Sequence, residues 1–264
     1  VIQMSSEYWT ARLIQNQYKK GTKRMDSQLI KVYQLASKEL KACVNDLWLK
    51  MLQDGTLTQN GIYQYGRYIE LQQQINKILK SLGQEEINIM NSQLQALYDA
   101  TFTESARYLG GDVLGGFTLL NPKTAEEVVN SNFKGAIFSD RIWKRQDELK
   151  NQLIRVITNS AVLGQDHKRV ARDLSKRLGV SLSDSRRLVR TETIRVLNSA
   201  CINKAIERGY EYYRVLLEVD ACDECLSEYE GKLFSLKGGN PPPLHPHCRC
   251  CIIVEMNEGE RVDD

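Results

Sequence analysis

Five residues near the C-terminus combine the side chains that zinc prefers at spacings that let them meet: Cys222, Cys225, His245, Cys248 and Cys250. Two thiolates separated by two residues, as in Cys222-Asp-Glu-Cys225, can face one ion from a tight turn, and zinc takes four nitrogen or sulfur ligands in a tetrahedron. Twenty positions later, His245-Pro-His247-Cys248-Arg249-Cys250-Cys251 supplies the remainder. Five candidates serve four places. The preferred set is Cys222, Cys225 and Cys248, completed by either Cys250 or His245. If a strand begins there, Cys248 and Cys250 share one face, and Cys251 points the other way, into the core. His247 then lies behind the ligands or in solvent.

The expected product is one structural zinc ion tying two loops of a small sheet. In isolated zinc modules the metal contributes roughly 10–16 kcal/mol at neutral pH, enough to decide whether such a unit folds. A pair of disulfides, or free buried thiols, are the competing readings. Seven cysteines, five of them between positions 222 and 251, argue against a disulfide framework spread over the fold. A redox dithiol is disfavoured because no helix start is expected after Cys222-x-x-Cys225 to lower a thiol pKa. A hydrolytic zinc would want a base, and the close acids are only Asp223, Glu224 and Glu228. With three histidines in the whole chain, two of them in this segment, acid–base options are thin. No catalytic or cofactor-binding residue is assigned, and the chain reads as non-enzymatic, with no small-molecule substrate.

The elements that must position this cluster read as mostly α with a small C-terminal β-sheet, an α+β chain. From Asp26, apolar residues recur at Leu29, Tyr33, Ala36, Leu40, Cys43, Leu47 and Met51, steps of three and four that paint one stripe on a helix. Asp26 or Ser27 is its expected cap and Asp54-Gly55 its end. A shorter helix includes Ile69, Ile75 and Leu79 and ends at Gly83. A third carries Ile87, Met90, Leu94, Leu97, Thr101 and Tyr108. Such stripes are packing surfaces of a helical bundle. The stretch 110–122 holds four glycines and a proline; it lacks the Lys-Ser/Thr of a phosphate loop and reads as a hinge.

Beyond it, residues 125–133 form a short amphipathic piece. Ser139 is the expected cap of a helix with Ile142, Leu149, Leu153, Val156 and Ile157, ending at Gly164. Asp166 caps a third, closed by Gly179, and Ser183 or Asp184 opens a fourth through Leu188, Leu197, Cys201 and Ala205 to Gly209. Then the character changes: 212–219, 232–236 and 250–256 read as strands, rich in aromatic and β-branched residues. The expected organisation is a helical N-terminal domain over 1–109, a hinge over 110–124, a second domain over 125–256 ending in the zinc-clasped antiparallel sheet, and an acidic tail over 257–264.

A second polar group, Arg190-Thr-Glu192-Thr-x-Arg195-x-x-Asn198, lies on the last helix before the first strand. Glu192 and Arg195 are neighbours at helical spacing, and Asn198 lies one turn further on the same face. It is either an ordinary polar helix face or a buried network locking this helix onto the sheet.

Net charge is only +3, but the distribution is uneven. From 141 to 214 there are 17 Lys/Arg against 8 Asp/Glu, while the chain from Glu255 onward carries five acids and one Arg. A basic middle suits nucleic acid or an acidic protein, or simply lines solvent-facing helices. No run of eighteen apolar residues exists and no signal-peptide pattern opens the chain, so no membrane partner is expected, and a reducing compartment is.

Taken together, Arg190-Thr-Glu192-Thr on a helix, a strand ending at Asp220, Cys222-x-x-Cys225, Glu230-Gly231-Lys232 and Pro243-Leu-His245-Pro-His-Cys248-Arg249-Cys250 resemble the phage head morphogenesis family, the Mu protein F-like minor head proteins. Phe138-Ser-Asp-Arg141-Ile-Trp143 is similar to that family's helix entry. The resemblance is specific over 138–254. It departs at His247, where Asn is more usual, and at the extra Cys251. It implies a non-enzymatic minor capsid protein that associates with the portal and other capsid proteins in procapsid assembly and DNA packaging or ejection. It further implies residence in the virion, at the capsid interior or portal vertex, and in host cytoplasm during assembly. Beside packaged DNA, the basic 141–214 region gains a role in non-specific phosphate contact. The alternatives are a free-standing zinc-containing nucleic-acid-binding protein, whose exposed sheet would offer Tyr210, Tyr212 and Tyr213, or a nuclease- or toxin-like enzyme.

Overall fold

The computed structural model describes residues 6–55, 66–109 and 122–255. Six helices occur among them: α1 (Ser6–Gln53), α2 (Arg67–Ser105), α3 (Pro122–Val129), α4 (Phe138–Val162), α5 (His167–Glu207) and α6 (Asp223–Tyr229). Three strands, β1 (Tyr212–Leu216), β2 (Phe234–Ser235) and β3 (Cys251–Glu255), form one antiparallel sheet in the order β2-β1-β3. The mostly helical α+β class with a small C-terminal sheet is what the periodicity indicates. Of the hinge expected over 110–124, residues 110–121 lie outside the described residues and 122–124 belong to α3; the tail over 257–264 and the end of the third expected strand at Met256 also lie outside them.

Three expected helix boundaries do not exist. α1 runs through Asp26 without a break, so neither Asp26 nor Ser27 caps a helix. α2 runs through Gly83, merging two expected helices. α5 runs through Gly179 and the Ser183–Asp184 start, merging two more. The reason is the same in each case: the buried stripe keeps its register across the expected boundary. In α2 the buried positions run Leu71, Ile75, Leu79, Leu82, Glu86 and Met90. One mid-helix glycine costs about 1 kcal/mol, less than the ~1.5–3 kcal/mol from burying a single Leu. Gly83 also has a packing role, because a Cβ there would stand 2.9 Å from the Trp143 ring. The stop at Asp54-Gly55 is as expected, with Gly55 at φ +61.

α4 begins at Phe138, buried, with Ile137 rather than Ser139 in the cap position and no side-chain cap. Its entry is held by the Arg141 guanidinium, which donates to the Phe133 and Lys134 carbonyls. α5 opens after Asp166, whose carbonyl accepts from the Arg169 and Val170 N–H groups.

The chain falls into two compact units. One comprises 26–90 and 132–186, and is entirely helical apart from its connections. Its core joins the α1 stripe Tyr33, Ala36, Leu40, Cys43, Leu47 and Met51 to side chains of α2, α4 and α5. Within that core Glu86, fully buried, accepts from the Arg145 guanidinium and the Ser185 and Tyr33 hydroxyls. The other unit comprises 1–25, 91–131 and 187–264, and contains the sheet and the cysteine cluster.

In that second unit β1 pairs with β3 from Tyr212↔Glu255 to Leu216↔Cys251, and with β2 at Tyr212↔Ser235 and Tyr213↔Phe234. β1 stops at Leu216, short of the expected 219. A turn at 217–222 then leads into α6, a helix the strand-like sequence around it did not suggest.

Candidate metal centre

α6 is what presents the first cysteine pair. Cys222 occupies its N-cap position and Cys225 its first turn, with the Leu226 N–H donating to the Cys222 carbonyl at 3.0 Å. The expectation that no helix start follows Cys-x-x-Cys was wrong. Asp223 and Glu224 fill the first turn, where acids suit the helix dipole, and Gly231 at φ +66 lies just beyond its end. That pattern was present in the sequence as a start signal. The Cys222 thiol is exposed and held below its ordinary pKa, chiefly by the Cys225 backbone N–H facing its sulfur, short of a cap hydrogen bond, with His245 adding to the effect.

The second group comes from the loop before β3. The Cys248 N–H donates to the His245 carbonyl at 3.2 Å, closing a tight turn. The His245 Nδ1–H donates to the Pro246 carbonyl at 2.9 Å. Its Nε2 lies 3.1 Å from the Cys222 sulfur and 3.2 Å from the Cys225 sulfur. The Cys225 and Cys248 sulfurs are 3.7 Å apart.

All five sequence candidates are thus brought together, in two overlapping groups. Cys222, Cys225 and His245 form one, Cys225, Cys248 and Cys250 the other, and either could hold a metal ion. Cys225, Cys248 and Cys250 are buried, and with Leu244 and Tyr229 they form the small core beside the sheet. Burial pushes the Cys225 thiol up to about 12. Cys248 is lowered to about 5, chiefly by a hydrogen bond from the Cys250 thiol, and the same bond raises Cys250. A bound cation would favour the thiolate at every one of these sulfurs.

The donor set suits zinc. A tetrahedron of about 2.3 Å Zn–S bonds has sulfur–sulfur edges of about 3.8 Å, close to the 3.7 Å between Cys225 and Cys248. His247 and Cys251 belong to neither group. His247 is exposed at φ +70, its N–H donating to the Thr191 hydroxyl at 3.3 Å. A left-handed backbone favours Asn, which accounts for the residue more usual there. Cys251 is buried on β3, as expected, with Cys201 nearby.

The polar group on α5 is a buried network rather than a solvent face. Glu192, Arg195 and Asn198 are all buried. Arg195 Nε donates to Glu192 at 2.7 Å, and its other nitrogens donate to the Val128 and Val129 carbonyls and the Ser131 hydroxyl at 2.8–3.0 Å. It thereby caps the C-terminus of α3, bonding the Val129 carbonyl and adding to the Ser131 bonds on the Val128 carbonyl. Asn198 does the same for the clasp. Its Nδ2 donates to the Pro242 carbonyl at 2.9 Å and the Cys250 carbonyl at 3.3 Å, and its Oδ1 accepts the Ile252 N–H at 3.2 Å. Arg249, between the two cysteines, donates to both carboxylate oxygens of Asp220 at 2.7 and 3.0 Å, bracing the loop against the turn before Cys222. Residue spacing carries no signal for that pairing, since the partners are separated by 29 residues.

No helix among the described residues is long and apolar enough to cross a membrane. Residues 151–253 match the family model described as Phage Mu protein F like protein. This span includes the end of α4, all of α5, α6, β1, β2 and both cysteine groups. Across 257 aligned residues the chain is 24% identical to the minor head protein GP7 of Bacillus phage SPP1, covering 89% of this chain and 83% of that one. No solved structure gives a significant match. The buried network of Glu192, Arg195 and Asn198, both cysteine groups and the start of β3 all lie within the span that is similar to the phage head morphogenesis family.

Proposed function

We propose that this protein is a minor component of a phage head, located at the capsid interior or portal vertex, where it meets the portal protein and other capsid proteins during procapsid assembly and DNA packaging or ejection. The observation that carries this reading is similarity to a minor head protein over nearly the whole chain, not just the matched domain. The cluster serves as a structural zinc site built from Cys222, Cys225, His245, Cys248 and Cys250, not a catalytic one. Buried Asn198 holds its loop from the α5 side and Arg249 pairs with Asp220 at the surface, and the metal adds to the small five-residue core beside the sheet.

A direct contact with DNA backbone is favoured by one observation. On α5, Lys168, Arg169, Arg172, Lys176 and Arg177 are exposed, with a single acid, Asp173, between them, 3.6 Å from Lys176. Such a contact is sequence-independent and weakens with salt. The test of the main reading is co-expression with the portal protein of the same phage, followed by affinity capture of this chain. The portal protein is expected in the eluate. Capture of no capsid component would refute the assembly role.

A further inference from the structure

Resting on the zinc reading above, we infer that the four ligands are Cys222, Cys225, His245 and Cys248, and that Cys250 is an outer-shell thiol. Three observations point to this set. First, the ligands form two equivalent pairs. Cys222 and Cys225 are three residues apart across the opening turn of α6, and His245 and Cys248 are three residues apart across a turn closed by the Cys248 N–H to the His245 carbonyl. The two pairs meet at the Cys225 sulfur, 3.2 Å from His245 Nε2 and 3.7 Å from the Cys248 sulfur, and closely spaced ligand pairs are how zinc is commonly enclosed.

Second, His245 is turned as a ligand would be. Its Nδ1–H is committed to the Pro246 carbonyl, which leaves Nε2 as the nitrogen facing the site, between the Cys222 and Cys225 sulfurs. A metal-bound histidine characteristically has its other ring nitrogen held by such an acceptor. A histidine serving only to shield the site would have no need of both contacts.

Third, Cys250 is held from elsewhere. Its carbonyl accepts from Asn198 and its chain continues directly into β3, so its position follows the sheet rather than the turn. Cys248 and Cys250 both group with Cys225 rather than with Cys222 and His245, so what separates them is the turn that joins Cys248 to His245 and the hold of the sheet on Cys250. A thiol there can donate to the Cys248 thiolate, as outer-shell partners do to metal-bound sulfur. Cys225 is common to both groups and is the ligand around which the set closes.

Zinc K-edge X-ray absorption on the zinc-loaded full chain tests the assignment. One nitrogen neighbour at about 2.0 Å and three sulfurs at about 2.3 Å are expected. Four sulfurs would overturn it. Competition with a chromophoric chelator gives an independent reading on two variants. Cys250→Ser keeps one zinc per chain with affinity lowered by no more than ~10–100-fold, the effect of an outer-shell partner, whereas His245→Ala falls further. The reverse order would overturn the assignment. A wild-type chain that takes up no zinc overturns the metal reading itself, a result distinct from zinc held by four sulfurs.

Discussion

The helical unit over 26–90 and 132–186 buries nineteen side chains in one core, from Tyr33 and Leu40 on α1 to Leu174 and Leu178 on α5. The core beside the C-terminal sheet buries five, and three of those are cysteines. In the first region, apolar area removed from water supports the fold, at about 25 cal/mol per Å². In the small cluster beside the sheet there is less of it, and polar contacts stand beside it: sulfur and nitrogen in two groups that share Cys225, with Asn198 bonded to the loop backbone. Each region carries a buried polar centre, Glu86 in the helices and the thiol cluster in the clasp. Only the thiol cluster has donors matched to a metal.

That contrast can be broken most strongly at Cys225, the residue common to both cysteine groups. Cys225→Ser is expected to abolish zinc binding and forfeit a large part of the ~10–16 kcal/mol that a structural zinc supplies. Hydrogen exchange should then show 212–255 losing protection while the helices of the other unit keep theirs. Next in size is Glu86→Ala, which leaves the Arg145 guanidinium, buried against it, without its counter-charge. Removing one member of such a pair costs about 3–5 kcal/mol, measured by chemical denaturation, and zinc content stays unchanged. Leu153→Ala, in the middle of α4 and fully buried, should cost about 2–5 kcal/mol, again with zinc retained. Asn198→Ala removes three hydrogen bonds to the clasp backbone. The expected loss is about 1–3 kcal/mol for the groups left unsatisfied, accompanied by faster zinc release to a chelator.

The smallest effect is a pH dependence of the helical core. Tyr33 is pushed up to about 12, first by burial and then by the Glu86 carboxylate. An acid whose pKa is raised on folding contributes its stability fully below its unfolded value, near 10, and loses it as pH climbs through the folded one. Stability of the helical unit should therefore decline between about 10 and 12, and Tyr33→Phe should flatten that limb in alkaline denaturation curves.

Much of this was legible in the sequence. The three-and-four spacing of the α1 stripe from Leu29 to Met51 identified a buried face correctly at every position named, because burial imposes that period. The five metal candidates were likewise legible, since ligand chemistry restricts residue type and spacing together. Helix boundaries were not, because a glycine reads alike whether it ends a helix or admits a neighbour. Gly21 sits inside α1 where a Cβ would press against Leu97, and Gly83 where it would press against Trp143. Only the fold reveals those neighbours. α6 was missed for another reason: at seven residues it is too short to show a stripe, and its acids at Asp223 and Glu224 were weighed as candidate bases rather than as a first turn. The choice between His245 and Cys250 depends on which way an imidazole is turned, and spacing carries no record of that.

The central claim is that a bound metal holds together the cysteine clasp beside the C-terminal sheet. Hydrogen exchange across 212–255, followed while zinc is withdrawn by a chelator from protein purified without one, tests it most directly. The account predicts one zinc per chain at the outset, and loss of protection in β1, α6 and β3 in step with its removal. A sheet that stays equally protected after the metal is gone, or that is protected in protein containing none, would contradict it.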